Sequence, residues 1–132
     1  MSQIQHTFRN SDIFKLVADN EPELALQLID QKLKQEEDVE EQCWLYLYQA
    51  WIYYSQYQYY PLSHNAVNLV LKNREELSNC IIIEAYLIRA LIHIKQNKIM
   101  YAYDSVETCL ALDPNNSSAN KLQELIILLL RK

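Results

Sequence analysis

The chain has 132 residues, of which 50% are hydrophobic and 22% charged, and its formal net charge at pH 7 is −5. This length and composition predict one domain with its own hydrophobic core, spanning residues 1–132. The acidic excess argues against a nucleic-acid-binding surface. No apolar run approaches the roughly 20 residues of a membrane span.

Cysteine and glycine usage indicate the compartment and the fold class. Cys43, Cys80 and Cys109 are far apart and form no Cys-x-x-Cys pair, which is typical of reduced thiols. The amino-terminal residues lack the apolar segment of a secretory signal, so we predict a cytoplasmic protein. Glycine is absent and only three prolines occur. Tight β-hairpins are therefore disfavoured, and we predict an all-α fold.

The first pair of predicted helices covers residues 8–18 and 22–35. Pro22 fits the first turn of the second helix, because a proline at that position loses no hydrogen bond. Apolar residues in this helix recur at intervals of three and four, including Ala25 and Ile29. One face of the pair is therefore expected to be buried.

The second pair is predicted over 39–55 and 62–72, with a tyrosine-rich loop between the helices. Helical spacing assigns four aromatic residues to the core: Trp44, Tyr48, Trp51 and Tyr54. Two roles remain open for the loop tyrosines, Tyr57, Tyr59 and Tyr60. They either fold back over the neighbouring helices or contact a partner protein.

The third pair, over 79–95 and 99–112, has the most regular pattern. Apolar residues of its first helix occupy two faces, which predicts burial on two sides. At the turn, Asn97 is expected to adopt the left-handed conformation that glycine usually takes. The second helix is predicted to stop before Asp113, because the residue that precedes Pro114 is disfavoured in a helix.

A last helix is predicted over 118–131, and it is apolar around its whole circumference from Leu125 to Leu130. Such a surface would be a liability on a monomer if it stayed exposed. Three alternatives follow, in which the helix inserts into a groove of its own chain, pairs with a second copy, or binds another protein. The residues that would support self-assembly are Leu125, Ile127, Leu128 and Leu130.

Residues 83–116 resemble a tetratricopeptide repeat, whose unit is about 34 residues long. An aromatic residue early in the first helix, small residues where the helices cross and a closing proline stand at the family's spacing. These residues are Tyr86, Ala90, Ala102, Cys109 and Pro114. Three positions depart from the pattern: Arg89 replaces the usual leucine, His93 the usual aromatic, and Asn97 a frequent glycine.

The resemblance implies three antiparallel helix-turn-helix hairpins, at about 8–35, 39–73 and 79–114, stacked as a short right-handed superhelix with a closing helix. It also implies a concave groove lined by the first helix of each hairpin. The groove positions are Asn10, Phe14, Val17, Leu45, Gln49, Ile52, Tyr53, Glu84, Leu87, Leu91, Ile94 and Lys95.

Most of these groove positions are apolar, and Lys95 is their one cation. A clamp for an acidic carboxyl terminus, as in the family's chaperone-binding members, is therefore not expected. The resemblance instead implies a scaffold, adaptor or chaperone that binds an apolar helix or peptide of another protein, with Leu45, Ile52, Leu87, Leu91 and Ile94 as anchors. The alternatives are a bacterial secretion chaperone of this repeat type and a self-assembling structural subunit.

No catalytic or metal-binding arrangement is apparent. Ser63 and His64 are adjacent, but no third group orients them and no glycine-containing turn offers an oxyanion site. His6, His64 and His93 have no ligand spacing with cysteines or acids. We therefore expect neither enzymatic activity nor a cofactor or metal.

Overall fold

The computed structural model describes residues 10–132, and within them it contains seven α-helices and no strand. The all-α prediction is thereby confirmed. The helices are α1 (Ser11–Ala18), α2 (Pro22–Gln35), α3 (Val39–Ile52), α4 (Tyr60–Leu71), α5 (Asn79–Lys95), α6 (Ile99–Leu112) and α7 (Ser117–Leu130). The predicted helix start at Phe8, and His6, lie outside the described residues.

The chain divides into two compact units, one ending at Leu77 and the other running from Ser78 to Lys132. The first unit contains α1 to α4, and the second contains α5 to α7. That residues 1–132 form one continuous repeat domain stays a prediction.

In the first unit, each helix from α1 to α4 packs against the next one along the chain. Its core joins α1, α2 and α3 and consists of Ile13, Ala25, Ile29, Leu45 and Ile52. A buried hydrogen bond links α4 to α3, because the Oγ of Ser63 donates to the carbonyl oxygen of Ala50 at 2.7 Å. Ser63 therefore stabilises the packing of α4 against α3.

The tyrosine-rich connection of the first unit is more ordered than a simple loop. After α3, Tyr53–Tyr57 forms a π-helical turn that ends at Gln58, whose φ is 53°. The α4 helix then begins at Tyr60, two residues before the predicted start, with Pro61 in its first turn. Proline is compatible with this position because the first amides of a helix have no intrahelical acceptor.

In the second unit, α5 packs against α6 and α6 packs against α7. Its core contains Ile83, Leu87, Ala90, Ala102, Val106, Cys109, Ala119 and Ile126, which come from all three helices. The Asn116 side chain accepts a hydrogen bond from the amide of Ala119 at 2.9 Å and so caps the start of α7.

Two turns reverse the chain without glycine. Asn20 follows α1 with φ 61°, and Asn97 follows α5 with φ 60°. In each turn a backbone amide reaches back five residues, from Glu21 to the Leu16 carbonyl at 2.8 Å and from Lys98 to the His93 carbonyl at 2.7 Å. These are Schellman motifs, which satisfy carbonyl groups at a helix end. The left-handed conformation predicted for Asn97 is confirmed.

Candidate protein-binding surfaces

Three groove positions of the first unit are buried. Asn10, Leu45 and Ile52 are 2–3% exposed, and both apolar residues belong to the core of this unit. The Oδ1 of Asn10 lies 3.4 Å from the Nζ of Lys32, which donates to it. The assignment of Leu45 and Ile52 as partner-binding anchors is therefore corrected, because their side chains are already covered by α1 and α2.

The remaining groove positions of the first unit are accessible in part. Phe14 is 38% exposed, and its ring packs edge-on against Tyr48 with centroids 4.9 Å apart. Val17, Gln49 and Tyr53 are half-buried. What remains of this surface is a mixed aromatic and polar patch rather than an aliphatic groove.

Leu87 in the second unit is also buried, so its side chain is not available as a partner-binding anchor. Leu87 is 8% exposed and shares the core with Ile126 and Ala119 of α7, while Ile94 packs against that core. Leu91 is half-buried. One side of the last helix thus packs against its own unit. Insertion into a groove of its own chain, pairing with a second copy and binding of another protein all stay predictions.

Glu84 and Lys95 are the charged groove positions of α5. Lys95 is exposed, while Glu84 is half-buried. Burial raises the pKa of the Glu84 carboxyl above its ordinary value. Ionisation of Glu84 is therefore energetically unfavourable in its partly buried position in the second unit.

The aromatic residues after α3 form two ring clusters. Tyr57 stacks on Tyr59 with centroids 5.3 Å apart, and Tyr53 lies 6.3 Å from Tyr57. In the other cluster, Trp51 lies 5.6 Å from Tyr54, which lies 6.0 Å from Tyr60. Trp51 is 45% exposed, so its assignment to the core is wrong. Trp44, at 4% exposure, is in the core as predicted.

The other side of α7 is exposed and apolar. Leu128 is 58% exposed, Leu125 and Leu130 are each 44% exposed, and Ile127 is 37% exposed, whereas Ile126 is fully buried. Leu125 and Leu128 are three residues apart and lie on one side of the helix. We call this pair, with the half-buried Leu129 between them and the core, the α7 apolar face.

Basic residues lie at both ends of the α7 apolar face. Lys121 is exposed one turn before Leu125, and Arg131 and Lys132 are exposed at the end of the helix. Side chains four residues apart on a helix are neighbours. Glu124 is also exposed and lies one turn before Leu128, so the face presents leucines between cationic ends with one carboxylate beside them.

The buried thiols do not favour nucleophilic chemistry. Burial raises the pKa of Cys43 to about 11 and that of Cys109 to about 12. Because the thiolate is the reactive form, both groups are inert near neutral pH. Cys109 instead packs in the core of the second unit, with its Sγ 3.6 Å from the Ile83 carbonyl oxygen.

Comparisons with protein-family models, curated proteins and solved structures gave no match. The candidate surfaces therefore rest on the geometry of this chain. Within residues 10–132, no helix combines the length and apolar character that crossing a membrane requires.

The spacing of residues in the sequence indicates that α7 has a buried side and an exposed side. Ala119 and Ile126, seven residues apart, form a narrow stripe, and both are fully buried. Leu125 and Leu128 fall to one side of that stripe. This spacing separates a core-facing side from an exposed side, which the continuous apolar run conceals.

Proposed function

We propose that this chain is a tetratricopeptide-like protein-binding scaffold, an adaptor or chaperone, whose α7 apolar face binds an amphipathic helix of another protein. The three helix pairs, α1 with α2, α3 with α4 and α5 with α6, are its repeats. The exposure of Leu125 and Leu128 on a helix whose opposite side is buried is the observation that carries this proposal.

The repeat assignment is supported by the positions where helices should cross. Ala90, Ala102 and Cys109 are fully buried and belong to one core. Ala25 and Ala66, at the corresponding place in the other pairs, are 0% and 2% exposed. Small residues at these points allow two helix backbones to approach closely, which larger side chains would prevent.

A helix is the partner that fits the shape of the α7 apolar face. Its leucines are spaced by three and four residues, so they form ridges into which the side chains of another helix can pack. Burial of a leucine side chain contributes about 1.5–3 kcal/mol. Two leucines that are 44% and 58% exposed therefore leave a substantial part of this energy available for binding.

Charge favours a different protein over a second copy. Two-fold antiparallel pairing through Leu125 and Leu128 would bring Lys121 of one copy beside Lys132 of the other. Like charges in that position oppose association. A partner helix with leucines between acidic residues would instead place opposite charges at both ends of the face.

The test is a fluorescence-anisotropy titration with a labelled synthetic helix that carries a leucine stripe between glutamates. We expect the native chain to bind it, and the double variant Leu125→Glu, Leu128→Glu to lose at least tenfold in affinity. The double variant Leu24→Glu, Leu62→Glu is the matched control, because both leucines are 46% exposed, on α2 and α4, and the change in net charge is the same. Circular dichroism verifies that each variant keeps its helices.

Three outcomes would reject the proposal. The first is equal binding by the native chain and the double variant. The second is a preference for the same helix with lysines in place of the glutamates. The third is light scattering that shows a dimer which the double variant abolishes, since that result identifies a second copy as the occupant.

A further inference from the structure

The two strongest departures from the repeat pattern, Arg89 and His93, lie in one cleft between α5 and α6. We propose that this cleft binds a small anionic group, a carboxylate or a phosphate presented by a ligand. The site goes beyond the proposed scaffold function, because α7 contributes no residue to the cleft.

The cleft is formed by two facing polar stripes. Tyr86, Arg89 and His93 follow one another along α5 at intervals of three and four residues, so they share one side of that helix. Facing them on α6, at the same intervals, are Tyr101, Asp104, Ser105 and Thr108. The cleft has a volume of about 180 Å³. A carboxylate or phosphate group fits that space.

Arg89 supplies the charge that an anion needs. Its side chain is half-buried, at the repeat position where leucine is usual. A guanidinium presents several donors in a planar fork that matches carboxylate and phosphate oxygens. Partial burial strengthens such contacts, because less water competes for the same donors.

Aromatic and hydroxyl groups complete the walls of the cleft. The His93 ring lies 5.5 Å from the Tyr101 ring, so these two residues contact each other across the helix pair. Tyr86, Tyr101 and Ser105 each carry a hydroxyl that can donate to an oxyanion. The Thr108 hydroxyl donates instead to the Asp104 carbonyl at 3.1 Å, which leaves its oxygen as an acceptor.

Asp104 lies in the same cleft, where its negative charge disfavours an anionic ligand. Its substitution therefore offers a direct test of the proposal. Its carboxylate competes for Arg89 and repels a negative ligand. The surrounding unit does not add to that repulsion, since residues 78–132 contain six lysines and arginines against five acidic residues. Replacing Asp104 with asparagine should therefore strengthen binding, which a purely structural role of the cleft does not predict.

The probes are inorganic phosphate and acetate, each titrated into the whole ¹⁵N-labelled chain and followed by amide chemical shifts. Because the site is small, we expect dissociation constants of about 1 mM or weaker, with the largest shifts in α5 and α6. A preference for phosphate indicates a phosphorylated ligand, and a preference for acetate indicates a carboxylate. Either preference supports the proposal.

Arg89→Leu and His93→Tyr introduce the residue types that the repeat pattern favours, so both variants should fold. Arg89→Leu should weaken binding at least tenfold, and His93→Tyr should weaken it less. Asp104→Asn should strengthen it several-fold. Lys34→Leu is the control, because it removes the same charge from an exposed position of α2, outside both the cleft and the α7 apolar face, and should leave binding nearly unchanged.

Three results would overturn the proposal. One is the absence of saturable shifts in α5 and α6 with both anions. Another is equal weakening by Arg89→Leu and Lys34→Leu, which would reduce the effect to net charge. The last is weaker binding in Asp104→Asn. None of them bears on the α7 apolar face, whose own test uses different residues.

Discussion

The two units differ sharply in charge and in aromatic content. Residues 1–77 contain twelve acidic residues against six lysines and arginines, a net charge of −6, whereas residues 78–132 carry +1. The first segment also holds both tryptophans and seven of the ten tyrosines. The acidic character of the chain is therefore a property of its first part, and the second part can approach an anionic partner without strong repulsion.

Regularity differs between the units as well. In the second unit, a turn of three residues joins α5 to α6, and both helices have the predicted bounds. In the first unit, the connection of α3 to α4 contains a π-helical turn and a left-handed Gln58. A π-helical turn accommodates an extra residue in a helix. In the second unit, a departure from the repeat pattern such as Arg89 is therefore a change of residue type and is not accompanied by an irregular helix.

The largest predicted effect tests whether each unit depends on its own core. Ile29→Ala in the first unit and Ile126→Ala in the second should each reduce the free energy of unfolding by about 2–5 kcal/mol, because both side chains are fully buried. Chemical denaturation measures the loss. Hydrogen exchange should show faster exchange of the amides in the unit that carries the substitution.

Ile127→Ala is the matched control for the second unit. Ile127 is the neighbour of Ile126 in α7, yet it is 37% exposed. Truncation there removes little buried area and should cost less than about 1 kcal/mol. If Ile127→Ala cost as much as Ile126→Ala, the division of α7 into a core side and an exposed side would be wrong.

Much of the fold was predictable because helix ends carry local chemical signals. The bounds of α2, α5 and α6 agree with the prediction. Pro22 marks the start of α2, while Asn97 and the Asp113–Pro114 pair mark the ends of α5 and α6. These signals act within a few residues, so a single sequence reveals them.

Burial of the candidate site was less predictable, because it depends on what covers each face. Repeat position assigned Leu45, Ile52 and Leu87 to an open groove, but it could not reveal that they lie in cores. The prediction for Trp51 was wrong in the opposite direction, because this residue was expected in the core. Its helical spacing matches that of the buried Trp44, yet it is 45% exposed. Periodicity shows on which side of a helix a residue lies, but it does not show which neighbouring element covers that side.

A medium effect is expected at Asn20 and Asn97, the left-handed residues of the two Schellman turns, one in each unit. Asn20→Ala and Asn97→Ala should each reduce the free energy of unfolding by about 1 kcal/mol, since the left-handed conformation is unfavourable for a residue with a Cβ and asparagine tolerates it best. Glycine at either position should be at least as stable as asparagine. An alanine variant as stable as the native chain at only one site would show that the turns are not equivalent.

The smallest effect concerns Glu84, and it depends on pH. Burial raises its pKa, so ionisation is less favourable in the folded chain than in the unfolded one. Below the ordinary pKa of glutamate, about 4.3, both states are protonated and no penalty arises. As pH rises through the folded-state pKa, the buried carboxylate destabilises the fold. Glu84→Gln should therefore raise the melting temperature at pH 7, and the gain should disappear in acid.

Glu124→Gln is the control, because Glu124 is at an exposed position of α7, and it should change the melting temperature little at either pH. If the gain for Glu84→Gln persisted in acid, its cause would be packing and not the charge of Glu84.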